Sequence, residues 1–101
     1  MTLNIANYKW ELKFVPPEEI PECDGRTFFN DFRILVRNDL GRIPARLVII
    51  HEIVHAILGT QGRVYQKEFG VEEVCEFIAW KLPEINAIID KIDAEYYERE
   101  K

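Results

Sequence analysis

His51 and His55 stand four residues apart, and Glu52 directly follows the first of them. Four residues advance an α-helix by about 6 Å and rotate it by about 40°, so two imidazoles at that interval leave the same helix face and can meet one ion. Zinc suits such a pair, because it takes neutral imidazole nitrogen at about 2.0–2.1 Å and its filled d shell imposes no geometry of its own. Glu52 lies about 100° round the helix from His51, off the ligand face but placed to reach a water held by the ion. With two histidines in 101 residues, chance produces this spacing with the following glutamate about once in 400 chains. The competing reading is a pair of core histidines hydrogen-bonded to carbonyls or acids.

The elements around these residues must position them. From Leu47 to Leu58 the chain is apolar apart from the three ionisable groups, which predicts a helix buried on most faces. An unpaired polar group in such surroundings costs on the order of 1–3 kcal/mol, so His51, Glu52 and His55 need partners or a solvent-lined cleft. Pro44 suits a first helical turn and Gly59 a left-handed cap, which bounds the central helix at about 44–58.

Upstream, Tyr8, Trp10, Leu12 and Phe14 alternate with charged residues, the period of a half-buried strand over residues 7–15. Three prolines and Cys23-Asp24-Gly25 make residues 16–25 a loop. Aromatic and branched runs at 26–29 and 32–37, joined by Asn30-Asp31, predict a tight hairpin and so a three-stranded, largely antiparallel sheet.

Downstream, the polar stretch Thr60 to Gly70 leads into a second helix at 71–82, with Val74, Phe77, Ile78 and Leu82 at helical spacing. Pro83 breaks or kinks it, and Ile85, Ile88, Ile89, Ile92 and Tyr96 mark the stripe of an amphipathic tail helix over 84–98. Strands first and helices after describe an α+β fold.

At 101 residues and 48% hydrophobic composition the chain is read as a single globular domain, residues 1–101. Its net charge of -5 and scattered basic residues argue against nucleic acid as the main partner. The longest uninterrupted apolar run in the most apolar region, Leu47 to Ile50, is short for a membrane span. Lacking a signal-peptide layout, the chain is expected to be cytoplasmic, with no membrane partner. Cys23 and Cys75 have neither disulfide-framework nor zinc-knuckle spacing. Cys75 reads as a small core residue, and nothing in the sequence brings the Cys23 loop near the central helix, where its thiolate could hold an enzyme latent.

A catalytic zinc usually has three protein ligands and one open position. There is no third histidine, which leaves the carboxylates Glu72, Glu73 and Glu76 at the start of the second helix, although acids there also complement the helix dipole.

His51-Glu52-Ile53-Val54-His55 followed by a helix that opens with glutamate resembles the gluzincin zinc metallopeptidases, in particular the ImmA/IrrE-like group and the hundred-residue minigluzincins. In the ImmA/IrrE-like pattern the ligand glutamate precedes a phenylalanine by four residues and the helix runs on to a proline. Glu73, Phe77, Ala79, Leu82 and Pro83 follow that order. Val74-Cys75 replace the family's Ala-Asn, and the proline comes one residue early, so Glu76 stays a rival to Glu73. The resemblance covers residues 8–83.

It implies a minimal zincin-like domain holding one Zn²⁺ per chain through His51, His55 and Glu73. Glu52 would be the general base in hydrolysis of a peptide or unfolded protein. Tyr65 is a candidate oxyanion donor, and by fold analogy strand 32–37 would pair with an extended substrate. The alternative keeps the metal without turnover, as a zinc-stabilised binding or regulatory module. In either case the Ile85–Tyr96 stripe needs a cover, either the cleft of its own chain, which would make the enzyme latent, or a second copy in a homodimer.

Overall fold

The computed structural model describes residues 1–60 and 71–97, with side chains in the second segment from 75 to 96. The fold is α+β and divides into two compact units, residues 1–64 and 65–101. The first holds β1 (Thr2–Ile5), β2 (Tyr8–Val15), β3 (Gly25–Phe28), β4 (Arg33–Arg37) and α1 (Arg42–Thr60). The second holds α2 (Val71–Ile92) and a π-helical segment, Asp93–Tyr97. The predicted polar connection at 61–70, Tyr65 within it, and the tail beyond 97 lie outside the described residues.

The sheet has four strands in the order β1-β2-β4-β3, and it is mixed where three antiparallel strands were expected. β1 was not foreseen. Leu3 and Ile5 point into the core while Thr2 and Asn4 face water, and a two-residue turn, Ala6-Asn7, joins β1 to β2 with φ of 51° and 70°. Both values belong to a primed hairpin turn, whose twist matches that of the strands.

β2 runs parallel to β4, and β3 pairs antiparallel with β4 on its other side. The β3–β4 pair is the expected hairpin, and Ile34, Leu35 and Val36 are all buried. A strand buried on both faces belongs in the middle of a sheet, and β3, whose residues are all at least partly exposed, takes the edge. β4 is therefore paired on both sides and has no free edge for a substrate. The β3–β4 connection is also longer than predicted: left-handed backbone falls at Phe32, φ 51°, not at Asn30 or Asp31. Phe32 is held there by stacking on Tyr8 at 5.3 Å and by edge contact with Trp10 at 5.1 Å.

One sheet face carries Leu3, Ile5, Trp10, Leu12, Ile34 and Val36, and α1 packs on it through Ala45, Ile49, Ile53, Ala56 and Ile57. The opposite face holds a smaller cluster of Val15, Ile20 and Leu35, joined by Cys23 and Phe28. Ile20 and Cys23 belong to the predicted loop, which includes a short 3-10 turn at Pro17–Glu19.

α1 is longer at both ends than the predicted 44–58, and Pro44 sits in its first turn as expected. It is not buried on most faces. Ile43 and Leu47 are 74% and 65% exposed, and His51 and His55 continue their stripe at intervals of four. By length and composition α1 could also cross a membrane, but its buried residues line one face against the sheet, as in a core helix.

Gly59 is not a cap but lies inside α1, where the Phe29 ring occupies the space a Cβ would need. Pro83 does not end α2 either, so the predicted helices 71–82 and 84–98 are one element to Ile92. Ala79 and Pro83 are both exposed, which lets water satisfy the carbonyl that proline cannot bond. Along α2, Ile85, Ile88, Ile89 and Ile92 are buried as the stripe predicted, whereas Ile78, Trp80 and Leu82 are exposed. Cys75, expected in the core, is exposed too.

At Gly25 β3 passes close to α1. A Cβ there would lie 2.5 Å from Val48 Cγ1 and 3.2 Å from Glu52 Cγ. Gly25→Ala is expected to lower the free energy of unfolding by about 1–3 kcal/mol, the cost of overpacking a tight contact; an unchanged urea midpoint would contradict this account.

Candidate metal centre

α1 brings His51, Glu52 and His55 together in the way their spacing predicts, but divides them between two environments. The imidazoles face outward, and the His51 side chain is 67% exposed. Glu52 points toward the sheet edge, and its side chain is only 8% exposed. The helical rotation of about 100° between neighbours accounts for this division, since it turns position 52 inward as it turns 51 outward.

The two imidazoles converge. His51 Nε2 and His55 Nε2 are 3.0 Å apart, and the ring planes meet at 73°. At that distance one ring donates its N–H to the lone pair of the other. Two nitrogens bound tetrahedrally to one zinc stand about 3.3 Å apart, so the observed separation is within a few tenths of an ångström of that spacing. To share an ion the rings would also have to turn their lone pairs off the nitrogen–nitrogen line. Imidazole nitrogens facing solvent suit a borderline-soft divalent cation.

The third ligand is a different matter. Among the described residues no three His, Cys, Asp or Glu side chains are grouped to hold a metal. Glu73 lies in the first turn of α2 in the second compact unit, and its side chain is outside the described residues, as is that of Glu72. Glu76 is exposed on α2.

Glu52 is the buried charged residue that the sequence said must be compensated, and a threonine compensates it. Thr27 Oγ1 on β3 donates to Glu52 Oε1 at 2.9 Å and lies 3.2 Å from the Glu52 main-chain oxygen. The second carboxylate oxygen, Oε2, is 3.9 Å from His51 Nε2, a separation that one water can bridge. One oxygen is thus tethered to the sheet and the other turned toward His51.

Beside them opens a cavity of about 330 Å³ lined by Cys23, Asp24, Gly25, Leu47, Val48, His51 and Glu52. Its wall includes the loop that the sequence did not place near the helix. The β3–β4 register explains this. Pairing begins with Arg37 N donating to Asp24 O at 2.9 Å, which draws Cys23 and Asp24 alongside the N-terminal half of α1. Thr27 and this wall were missed because they lie about 25 residues upstream of the motif. The one signal for them was the need of a buried carboxylate for a donor.

If the histidine pair takes zinc, free metal at about 100 times its Kd should stabilise the protein by about 2.7 kcal/mol. The stabilisation should vanish in His55→Ala, while the metal-free protein stays folded. Thermal melts with zinc and with chelator measure it; equal melting temperatures under the two conditions would count against a metal site.

Comparison with protein-family models, curated proteins and solved structures finds no match to this chain.

Proposed function

We propose that the protein is a zinc-dependent metallopeptidase of gluzincin type. The observation that carries this reading is the arrangement on α1: two exposed imidazole nitrogens 3.0 Å apart, with one oxygen of a buried glutamate 3.9 Å away. His51 and His55 would hold the ion, with Glu73 as the third ligand by the family resemblance. Bound zinc supplies a Lewis acid that polarises a peptide carbonyl and makes water acidic near neutral pH.

The protein's own residues do the rest. Glu52 Oε2, facing His51, accepts a proton from the attacking water and returns it to the leaving amine. The cavity between β3 and α1, with Leu47 and Val48 on its wall, takes a substrate side chain. β3 is at the sheet edge, and among the described residues no strand pairs with its outer side. An extended peptide can add there through main-chain hydrogen bonds, which favours unfolded substrates over folded ones.

Purified protein is expected to contain one zinc per chain and to cleave an unstructured polypeptide such as casein. His51→Ala should lose the metal. Glu52→Gln should keep the metal and lose at least about 100-fold in kcat, the usual range for removing a general base. Metal analysis and peptide hydrolysis decide between the readings. A zinc-loaded chain that cleaves nothing is a binding module, and an active Glu52→Gln variant removes Glu52 from the mechanism.

A further inference from the structure

The hydrogen bond between β3 and the glutamate of α1 carries a consequence for catalysis. A carboxylate has two equivalent oxygens and a freely turning terminal torsion, so a glutamate beside a cavity samples many orientations. Here one oxygen is fixed. Thr27 Oγ1 holds Glu52 Oε1 at 2.9 Å, and Gly25, two residues earlier on the same strand, packs against Glu52 Cγ so closely that a methyl group would lie 3.2 Å from it. Strand periodicity turns positions 25 and 27 to the same face, so β3 grips the side chain at its stem and at its head.

We propose that Thr27 is a positioning residue for Glu52. By tethering Oε1 to the sheet edge it leaves Oε2 facing His51 at 3.9 Å, where a general base must accept a proton. This rests on the metallopeptidase reading and names the group that makes its base effective. The hydroxyl has one hydrogen, and its shorter contact is with the carboxylate, 2.9 Å against 3.2 Å to the main-chain oxygen. Its loss therefore frees the carboxylate without removing any donor that α1 itself supplies.

The test compares Thr27→Val, which keeps the shape without the donor, with Thr27→Ser, which keeps the donor. Thr27→Val should bind zinc as the natural chain does and give the same visible spectrum when loaded with cobalt. Its kcat should fall about tenfold or more, with KM within about twofold, as expected for losing a hydrogen bond to a charged group. Thr27→Ser should restore most of the lost kcat. If Thr27→Val does not fold, Thr27→Ala removes the hydroxyl without setting a methyl against the carboxylate, and the same comparison applies. A kcat within about twofold of the natural value without the hydroxyl, or a serine variant as slow as the valine one, overturns the role of Thr27 and leaves the peptidase reading standing. A natural chain that binds zinc yet cleaves nothing overturns both.

Discussion

Glu52 is the one buried polar or charged residue among the described residues, and much of the first unit is arranged around it. A carboxylate out of water destabilises a fold unless hydrogen bonds replace those it gave up. The donor here comes from the edge strand, which must come close enough for a threonine hydroxyl to reach the helix. That requirement explains why the strand begins with glycine, whose missing Cβ is the space Val48 and Glu52 occupy. The β3–β4 pairing then fixes the distance, since β4 is buried on both faces and immobilised between its neighbours.

The same helix shows its other side to solvent. Ile43, Leu47, His51 and His55 follow at intervals of four, all exposed. A helix with one face on a sheet can offer ligands to an ion without burying them, and it can hold a base in a drier setting one residue away. The division between exposed imidazoles and an enclosed carboxylate follows from helical rotation alone. What the sheet adds is the tether, and the second contact between hairpin and helix, Phe29 lying over Gly59, secures the C-terminal end of α1 in the same way.

Much of this was legible in the chain, and the parts that were not share a physical cause. The alternation from Tyr8 to Phe14 marked β2, and Pro44 with the apolar run after it marked α1, because both signals are local. His51, Glu52 and His55 were read from spacing for the same reason. The sheet order was not local. Ile34-Leu35-Val36 carried the mark of a central strand, but which strands flank it depends on partners elsewhere in the sequence. Thr2–Ile5 is short, and its turn uses Ala6-Asn7 where asparagine-glycine would have announced a hairpin. Gly25 and Gly59 read locally as turn and cap residues, yet both serve as places where another element passes close by, which no single-residue signal reveals. Thr27 was invisible as a partner because a hydroxyl on a strand resembles any other. Pro83 overstated its power to end a helix, since its position on the exposed side leaves water to complete the backbone.

The exposure of the histidines has one more consequence. Structural zinc sites build their ligands into the core, so the empty protein unravels and metal supply governs whether the chain exists as a folded object. Here neither imidazole contributes to the packing between α1 and the sheet, and the sheet-facing core closes without them. On the proposed metal-binding reading, folding and metallation would therefore be separable events: the chain would mature first and take up an ion afterwards, or lose it under scarcity and stay intact.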